Sequence, residues 1–216
     1  MSIKIVLADD HTILRQSLAK SFKEEDDIEI VGQAKDGRST LDLVRQLQPD
    51  LVVMDIEMPD LNGIEATHRI MKECPQVKVL GLSMHSNDKY IREMFRAGAS
   101  GYLLKNCPFE ELVKAVRTIL RGKTFIGSSV GDLIIREYVS LPDKDQSAFS
   151  ILSEREREVL QLLAEGQTTK QIARMLHISP KTVEGHRLRM MEKLGIDSIA
   201  KLTKYAIQEG MTAPEP

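Results

Sequence analysis

The chain has 216 residues, 42% of them hydrophobic and 29% charged, with a formal net charge of −2. Its length suggests one large or two small globular domains. No apolar run approaches the ~20 residues that span a membrane, and Met1–Lys4 lead into a predicted strand without a secretory signal. Cys74 and Cys107 lack a CxxC spacing, which argues against a disulfide framework or zinc site. We therefore expect a cytoplasmic protein without membrane partners.

Residues 1–122 alternate five short apolar runs with five amphipathic stretches. The apolar runs predict strands at about 3–8, 28–34, 51–55, 77–83 and 101–104. The amphipathic stretches predict helices at about 12–24, 38–47, 63–73, 88–97 and 109–121. Such alternation is typical of an α/β fold, here a doubly wound, five-stranded parallel sheet with helices on both faces.

Polar residues stand at the carboxyl ends of four predicted strands. Asp9 and Asp10 follow the first strand, Asp55 ends the third, Ser83 ends the fourth and Lys105 follows the fifth. Open α/β sheets place their chemistry outside the carboxyl ends of the strands. We therefore expect three carboxylates, a hydroxyl and an ammonium group to meet in one pocket.

A pocket of this composition suits a divalent cation and a phosphoryl group. Mg²⁺ prefers oxygen ligands, which Asp10, Asp55 and a backbone carbonyl near Glu57 can supply, while Asp9 acts through water. Crowded carboxylates resist ionisation unless a cation is present. Asp55 can then serve as a phosphoryl nucleophile. A single Asp after a strand is usually a turn or helix cap, but polar residues at four strand ends indicate a site.

The rest of the chain predicts a tether and then a small helical domain. Residues 123–150 combine a Gly-Ser-Ser sequence, a short apolar stretch and polar residues, which predict a short helix near 129–138 and a flexible connection. Residues 151–216 contain three helix-start signals. With stops at Gly166 and Gly195, these signals divide the segment into four helices.

Two of these helices, joined at residues 177–179, predict a helix-turn-helix with 180–194 as the recognition helix. At about 100° per residue, Val183, Met190 and Leu194 form its core face. The opposite face is predicted to enter a major groove of DNA. Residues 151–216 are not strongly basic, however, so charge alone does not identify a nucleic-acid binder.

The predicted DNA contacts lie on this helix and at the start of the preceding one. Glu184 is expected to accept a hydrogen bond from cytosine N4, and Leu188 to touch a thymine methyl group. Arg187 and His186 lie nearer the core face and are expected to pack or to contact phosphate. The candidate DNA-binding residues are Thr169, Lys170, Lys181, Thr182, Glu184, Gly185, His186, Leu188 and Arg189.

Both halves of the chain resemble known protein families. The polar set at the strand ends, with Met58-Pro59 and the sequence 97–105, closely resembles the receiver domain of bacterial two-component response regulators. The sequences 152–156, 181–187 and 193–195 resemble the LuxR-type helix-turn-helix. In this order the two resemble a NarL/FixJ-type response regulator, which implies a flavodoxin-like receiver followed by a four-helix DNA-binding domain.

The resemblance implies roles for the matched acidic residues. Asp55 would accept a phosphoryl group from a sensor histidine kinase, and Asp9, Asp10 and Asp55 would hold Mg²⁺ or Mn²⁺. Lys105 would bind a phosphoryl oxygen. No enzymatic activity is expected beyond phosphotransfer to Asp55 and its autodephosphorylation.

The resemblance also implies a conformational switch. The Ser83 hydroxyl would move towards the phosphoryl group while the Tyr102 ring turns inward. Glu57 and His85 match positions that tune the lifetime of the phosphate. Met84 departs from the small residue that many receivers have after the hydroxyl, and it is expected to obstruct the inward turn of Tyr102.

The implied organisation is a receiver at 1–122, a linker at 123–150 and a DNA-binding domain at 151–216. Phosphorylation would switch binding to double-stranded DNA, with RNA polymerase as a further partner. A homodimer is expected when the protein is phosphorylated or bound to DNA, because the last helix carries more apolar residues than one small core needs. The candidate dimerisation residues are Ile199, Leu202 and Ala206.

Two other functions account for part of the pattern. An aspartyl-phosphate phosphatase or phosphotransferase would also use such a carboxylate, but the adjacent Asp9-Asp10 pair is not the expected Asp-x-Asp signature. A protein-interaction module could use the helical domain to bind a protein instead of DNA. Steady turnover of a phosphate ester would favour the phosphatase or phosphotransferase. DNA binding that is absent or insensitive to salt would favour the protein-interaction module.

Overall fold

The computed structural model describes residues 2–84, 88–131 and 151–212. The chain divides into two compact units, residues 1–141 and 142–216. The first is an α/β unit and the second is helical in its described part. No helix in the described ranges is long and apolar enough to cross a lipid bilayer.

Six parallel strands form the sheet of the N-terminal unit, in the order β2-β1-β3-β4-β5-β6. The strands are β1 (Ile3–Ala8), β2 (Ile28–Ala34), β3 (Leu51–Asp55), β4 (Lys78–Ser83), β5 (Gly101–Leu104) and β6 (Phe125–Ile126). The helices are α1 (Thr12–Phe22), α2 (Gly37–Leu47), α3 (Gly63–Glu73), α4 (Asp88–Arg96) and α5 (Phe109–Leu120). All residues of β3 and β5 are buried, as expected for a parallel sheet covered on both faces.

The sheet has one strand more than the five predicted. β6 pairs with β5 although it falls in the segment predicted to be a linker, because a strand of two residues is too short to show a periodic pattern. Residues 128–131 are helical, which places one helix start near the predicted 129–138. The remaining residues of the predicted helix, and the predicted tether up to residue 150, lie outside the described residues.

The strand order determines where a site can form. β1 lies between β2 and β3 in the sheet. The connection that follows β1 leads to β2 on one side of it, and the connection that follows β2 leads to β3 on the other side. Such a reversal of strand order opens a crevice at the carboxyl ends of the two strands. Asp9 and Asp10 follow β1 at this crevice, and Asp55 ends β3 beside it.

Four helices form the described part of the C-terminal unit. They are α6 (Glu154–Ala164), α7 (Thr169–Met175), α8 (Pro180–Leu194) and α9 (Ile199–Gln208). Capping boxes at Ser153 and Thr168 begin α6 and α7, and a Ser179 cap followed by proline begins α8. Gly195, with a φ of +63°, ends α8 in the left-handed conformation that glycine adopts without strain.

The structure corrects the predicted dimerisation residues. Leu202 and Ala206 are fully buried in the core of the helical unit, together with Val183 and Met190. Their place on α9 is therefore explained by intramolecular packing. Of the three candidates only Ile199 is exposed, at 45%.

Candidate functional site

Three of the predicted site residues form a buried ion-pair cluster. The Lys105 Nζ lies 2.7 Å from Asp55 Oδ2 and 2.8 Å from Asp9 Oδ2. All three side chains are at most 5% exposed. Asp10 is the more accessible acid of the pocket, with its side chain 34% exposed. The pocket therefore joins a buried lysine to a group of carboxylates that opens towards solvent on the Asp10 side.

The turn from β3 to α3 holds Asp55 in place. The Glu57 amide donates to Asp55 Oδ1 at 3.3 Å, and the Gly63 amide donates to the Ile56 carbonyl at 2.8 Å. A Cβ at Gly63 would stand 2.0 Å from the Asp55 carbonyl oxygen. The Asn62 side chain caps α3 by accepting from the Glu65 amide. Glycine is therefore required here because the helix begins in contact with the strand.

Burial sets the protonation behaviour of the pocket. Desolvation is the largest effect and raises the pKa of the Asp55 carboxyl. Lys105 lowers it and the charges of Asp9 and Asp10 raise it, so that the resulting pKa is about 7. Burial lowers the pKa of Lys105, but the Asp55 and Asp9 carboxylates outweigh that effect and its pKa is raised overall. The site thus keeps its lysine charged while disfavouring an additional negative charge on Asp55.

The carboxylates fit a hard divalent cation. Ligand atoms of Asp9, Asp10, His11 and Asp55 all lie within 4.8 Å of one another. The oxygen donors suit Mg²⁺ or Mn²⁺, and the accessible side of the pocket leaves space for the waters that Mg²⁺ retains. A cation here would also offset the crowding of negative charge that raises the pKa of Asp55.

Two residues of this pocket were not predicted from the sequence. The His11 Nδ1 lies 2.7 Å from Asp10 Oδ1, and the Arg15 guanidinium donates to the Asp9 carbonyl oxygen. His11 directly follows the acidic pair, and Arg15 lies one turn later on α1, so their positions on the strand-to-helix connection were the available signal. Both hold the acidic loop rather than extend the buried ion-pair cluster.

The predicted switch residues are brought together below the pocket. Ser83 and Tyr102 are buried, and a hydrogen bond with the Ser83 side chain partly offsets the burial that raises the pKa of Tyr102 to about 12. The Tyr102 ring is thus turned inward. Met84 is 68% exposed and does not obstruct it, because the side chain after the strand end points to solvent.

Glu57 lies beside the pocket with its carboxylate held by a tyrosine. The Tyr90 hydroxyl, from α4, donates to Glu57 Oε1 at 2.8 Å. Burial, followed by the bond to Glu57, raises the pKa of Tyr90 well above its usual range, so the hydroxyl remains a donor. His85, the other residue expected to tune phosphate lifetime, lies outside the described residues.

The predicted DNA-facing side of α8 is accessible in the structure. Leu188 is 63% exposed, and a Cβ at Gly185 would meet no atom within 4 Å. The exposed residues of the predicted set are Lys170, Lys181, Thr182, Leu188 and Arg189, whereas Thr169, Glu184, Gly185 and His186 are half-buried. Burial lowers the pKa of His186, which favours its neutral form.

Glu184, which is predicted to accept a hydrogen bond from cytosine N4, is bound by two protein groups in the structure. Its Oε1 accepts a hydrogen bond from the Thr169 hydroxyl at 3.0 Å. Its Oε2 lies 2.5 Å from the Arg187 Nη2. Arg187 is the i+3 neighbour of Glu184 on α8, a pair that helical periodicity allows, whereas Thr169 comes from a different helix and could not be inferred in this way.

Comparison with known families agrees with both units. The model of the response regulator receiver domain matches residues 5–117, and the model of the bacterial regulatory proteins of the luxR family matches residues 150–206. The chain therefore belongs to the two-component response regulators that join a receiver domain to a LuxR-type DNA-binding domain. This confirms the predicted resemblance and the predicted function as a DNA-binding regulator.

Individual relatives cover between 65% and 96% of the chain. The oxygen regulatory protein NreC of Staphylococcus carnosus (strain TM300) is 40% identical over 212 residues, which are 96% of this chain and 98% of NreC. A LuxR-family response regulator from Aurantimonas sp. SI85-9A1 covers 65% of this chain and 100% of its own, with a TM-score of 0.63 and 33% identity. The structure of two RcsB dimers bound to two parallel DNAs covers 95% of this chain and 98% of RcsB, with a TM-score of 0.60 and 26% identity.

Proposed function

We propose that Asp55 is the phosphoacceptor of this response regulator. The observation that carries the proposal is the buried Asp55 carboxylate, bound by Lys105 at the crevice between β1 and β3. A carboxylate oxygen of Asp55 attacks phosphorus in the phosphohistidine of a sensor kinase, the phosphorus–nitrogen bond breaks, and the imidazole leaves. Lys105 stabilises negative charge on the transferred group, since this chemistry depends mainly on positioning and charge.

The metal ligands are proposed to be Asp9, Asp10 and Asp55, with the backbone carbonyl of Glu57. When bound, Mg²⁺ supplies positive charge to the carboxylate and the phosphoryl oxygens. The chain's own residues position that chemistry, because the β3–α3 turn fixes Asp55 and the His11 and Arg15 contacts fix the acidic loop. Ser83 and Tyr102 change conformation in response to the phosphoryl group on Asp55. Glu57 and His85 set the lifetime of this phosphoryl group.

The output is proposed to be dimerisation on DNA. The relative RcsB binds DNA as dimers, and α8 of this chain presents an accessible face of the kind that enters a major groove. The proposed divisions are a receiver at 1–122, a linker at 123–150 and a DNA-binding domain at 151–216. β6 lies in the linker range and pairs with β5 of the receiver sheet. A phosphate changes DNA binding only through the free-energy difference it makes between two conformational states.

Intact-mass spectrometry after incubation with acetyl phosphate and Mg²⁺ tests the proposal. We expect one phosphate on the wild type and none on Asp55→Asn, with sizing of the same samples to detect dimers. Asp26→Asn is the matched control, because Asp26 is exposed and remote in sequence from the pocket. Retained label on Asp55→Asn would contradict the assignment of the phosphoacceptor.

A further inference from the structure

Glu184 is already engaged by protein groups on the face of α8 that is proposed to meet DNA. One carboxylate oxygen accepts from Thr169 and the other pairs with Arg187. A charge-assisted contact of this kind is stronger than a neutral hydrogen bond. A cytosine N4 amine would therefore find both carboxylate oxygens already bound, one of them by a guanidinium, which disfavours Glu184 as a direct reader of a base.

Arg187 is the residue that this arrangement orients. Its guanidinium is a planar fork of five N–H donors, and Glu184 contacts it through Nη2. In the described part of the C-terminal unit, Glu184 is its one ion-pair partner. The Arg187 side chain is 27% exposed, so it can reach outward while the carboxylate limits its rotation.

We propose that Arg187 contacts DNA and that Glu184 is the positioning residue that holds its guanidinium for this contact. The ligand is a bidentate acceptor, which DNA offers either as the O6 and N7 edge of guanine or as two phosphate oxygens. Because Glu184 already restricts the Arg187 guanidinium, Arg187 loses less side-chain conformational entropy when DNA binds. Thr169 supports the same arrangement from α7, since it fixes the other oxygen of Glu184. The inference rests on the proposed DNA binding by α8.

Selection of duplexes from a randomised DNA library tests this inference. Full-length protein, treated with acetyl phosphate and Mg²⁺, would be used as wild type, Arg187→Ala, Arg187→Lys and Glu184→Gln. Binding to the selected duplex would then be titrated at several salt concentrations. Lys201→Ala controls for loss of a positive charge outside α8, and circular dichroism with thermal melting verifies that each variant is folded.

A guanine contact predicts that Arg187→Ala and Arg187→Lys lose preference at one G·C pair, with affinity lowered roughly tenfold or more. A phosphate contact predicts that Arg187→Ala weakens all selected duplexes equally and lowers the salt slope by about one. In both cases Glu184→Gln causes a smaller loss of the same kind, although it removes a negative charge that would repel phosphate. In an Arg187→Ala/Glu184→Gln double variant the second substitution causes no further loss.

Two results would overturn the inference. Arg187→Ala could retain the preference, affinity and salt slope of the wild type, or Glu184→Gln could lose a C·G preference that Arg187→Ala keeps. The second result would show direct reading by Glu184. A wild-type protein that enriches no sequence would instead contradict the proposed DNA binding itself, and this inference with it.

Discussion

Asp55 is a carboxylate whose environment opposes its own ionisation. Desolvation raises its pKa from 3.8 to about 7, although Lys105 lies 2.7 Å away. Asp55 is the proposed nucleophile in its ionised form, so the proposed function requires the folded protein to keep an unfavourable charge. A cation bound by the neighbouring carboxylates would relieve this cost and would couple metal binding to the reactivity of the same group.

We expect Asp55→Asn to stabilise the metal-free protein at pH 8 by roughly 1–3 kcal/mol. The folded pKa is raised, so the carboxyl group favours folding below the unfolded value near 3.8 and loses that contribution as pH rises through about 7. The gain should therefore shrink between pH 7 and pH 4. Thermal melts in EDTA measure it, with Asp26→Asn as a control that should show no such trend.

Close contact between backbone elements determines which residues the pocket tolerates. The amino end of α3 meets the carbonyl of Asp55 directly, because Gly63 has no side chain. Gly122 is glycine for a different reason. Its φ is +77°, and a Cβ there would meet nothing within 4 Å.

These two glycines give a matched test of the β3–α3 turn. Gly63→Ala should destabilise the receiver by more than about 2 kcal/mol and abolish phosphorylation, because its Cβ would overlap backbone atoms of Asp55. Gly122→Ala should cost only about 1 kcal/mol of left-handed strain and leave phosphorylation intact. Denaturant unfolding with intact-mass spectrometry measures both effects, and equal effects would be evidence against a steric role for Gly63.

The packing of α9 shows which of its apolar residues are buried in the core and which are exposed, a distinction that helical periodicity does not make. Leu202 is fully buried in the helical core, and Ile199 is 45% exposed at the start of the same helix. Leu202→Ala should lower the free energy of unfolding of the C-terminal unit by about 2–5 kcal/mol. Ile199→Ala should change it by less than about 0.5 kcal/mol. Denaturant titration compares the two, and similar losses would contradict this assignment of the core.

Residues with local signals were predictable from the sequence. The bounds of α8 follow from the Ser179 cap and Gly195, and the approach of Asp9 to Asp55 follows from the rule that parallel strands share an edge. β6 was missed because two residues carry no period. The helical pattern of α9 identifies an apolar face without stating whether a core or a partner covers it.

The whole molecule combines a receiver and a DNA-binding unit. Coupling between them means that the free energy of DNA binding differs between the phosphorylated and the unphosphorylated protein. A tenfold gain in DNA affinity on phosphorylation corresponds to about 1.4 kcal/mol. Dimerisation can supply this gain, since two linked recognition helices bind two half-sites about one helical turn apart. Since Leu202 and Ala206 are buried within the unit, Ile199 is the large apolar side chain of α9 that is exposed and available for such contacts.

We therefore expect Ile199→Glu to impair dimerisation on DNA without affecting the receiver. A buried charge at an apolar contact is costly, so the phosphorylated variant should bind a two-half-site duplex as one monomer at concentrations where the wild type binds as two. Gln208→Glu adds the same charge to an exposed position about 180° around α9 and should bind like the wild type. Mass photometry gives the stoichiometry, and intact mass verifies equal phosphorylation. If Ile199→Glu still binds the duplex as two protomers, the dimer contact does not involve Ile199 on α9.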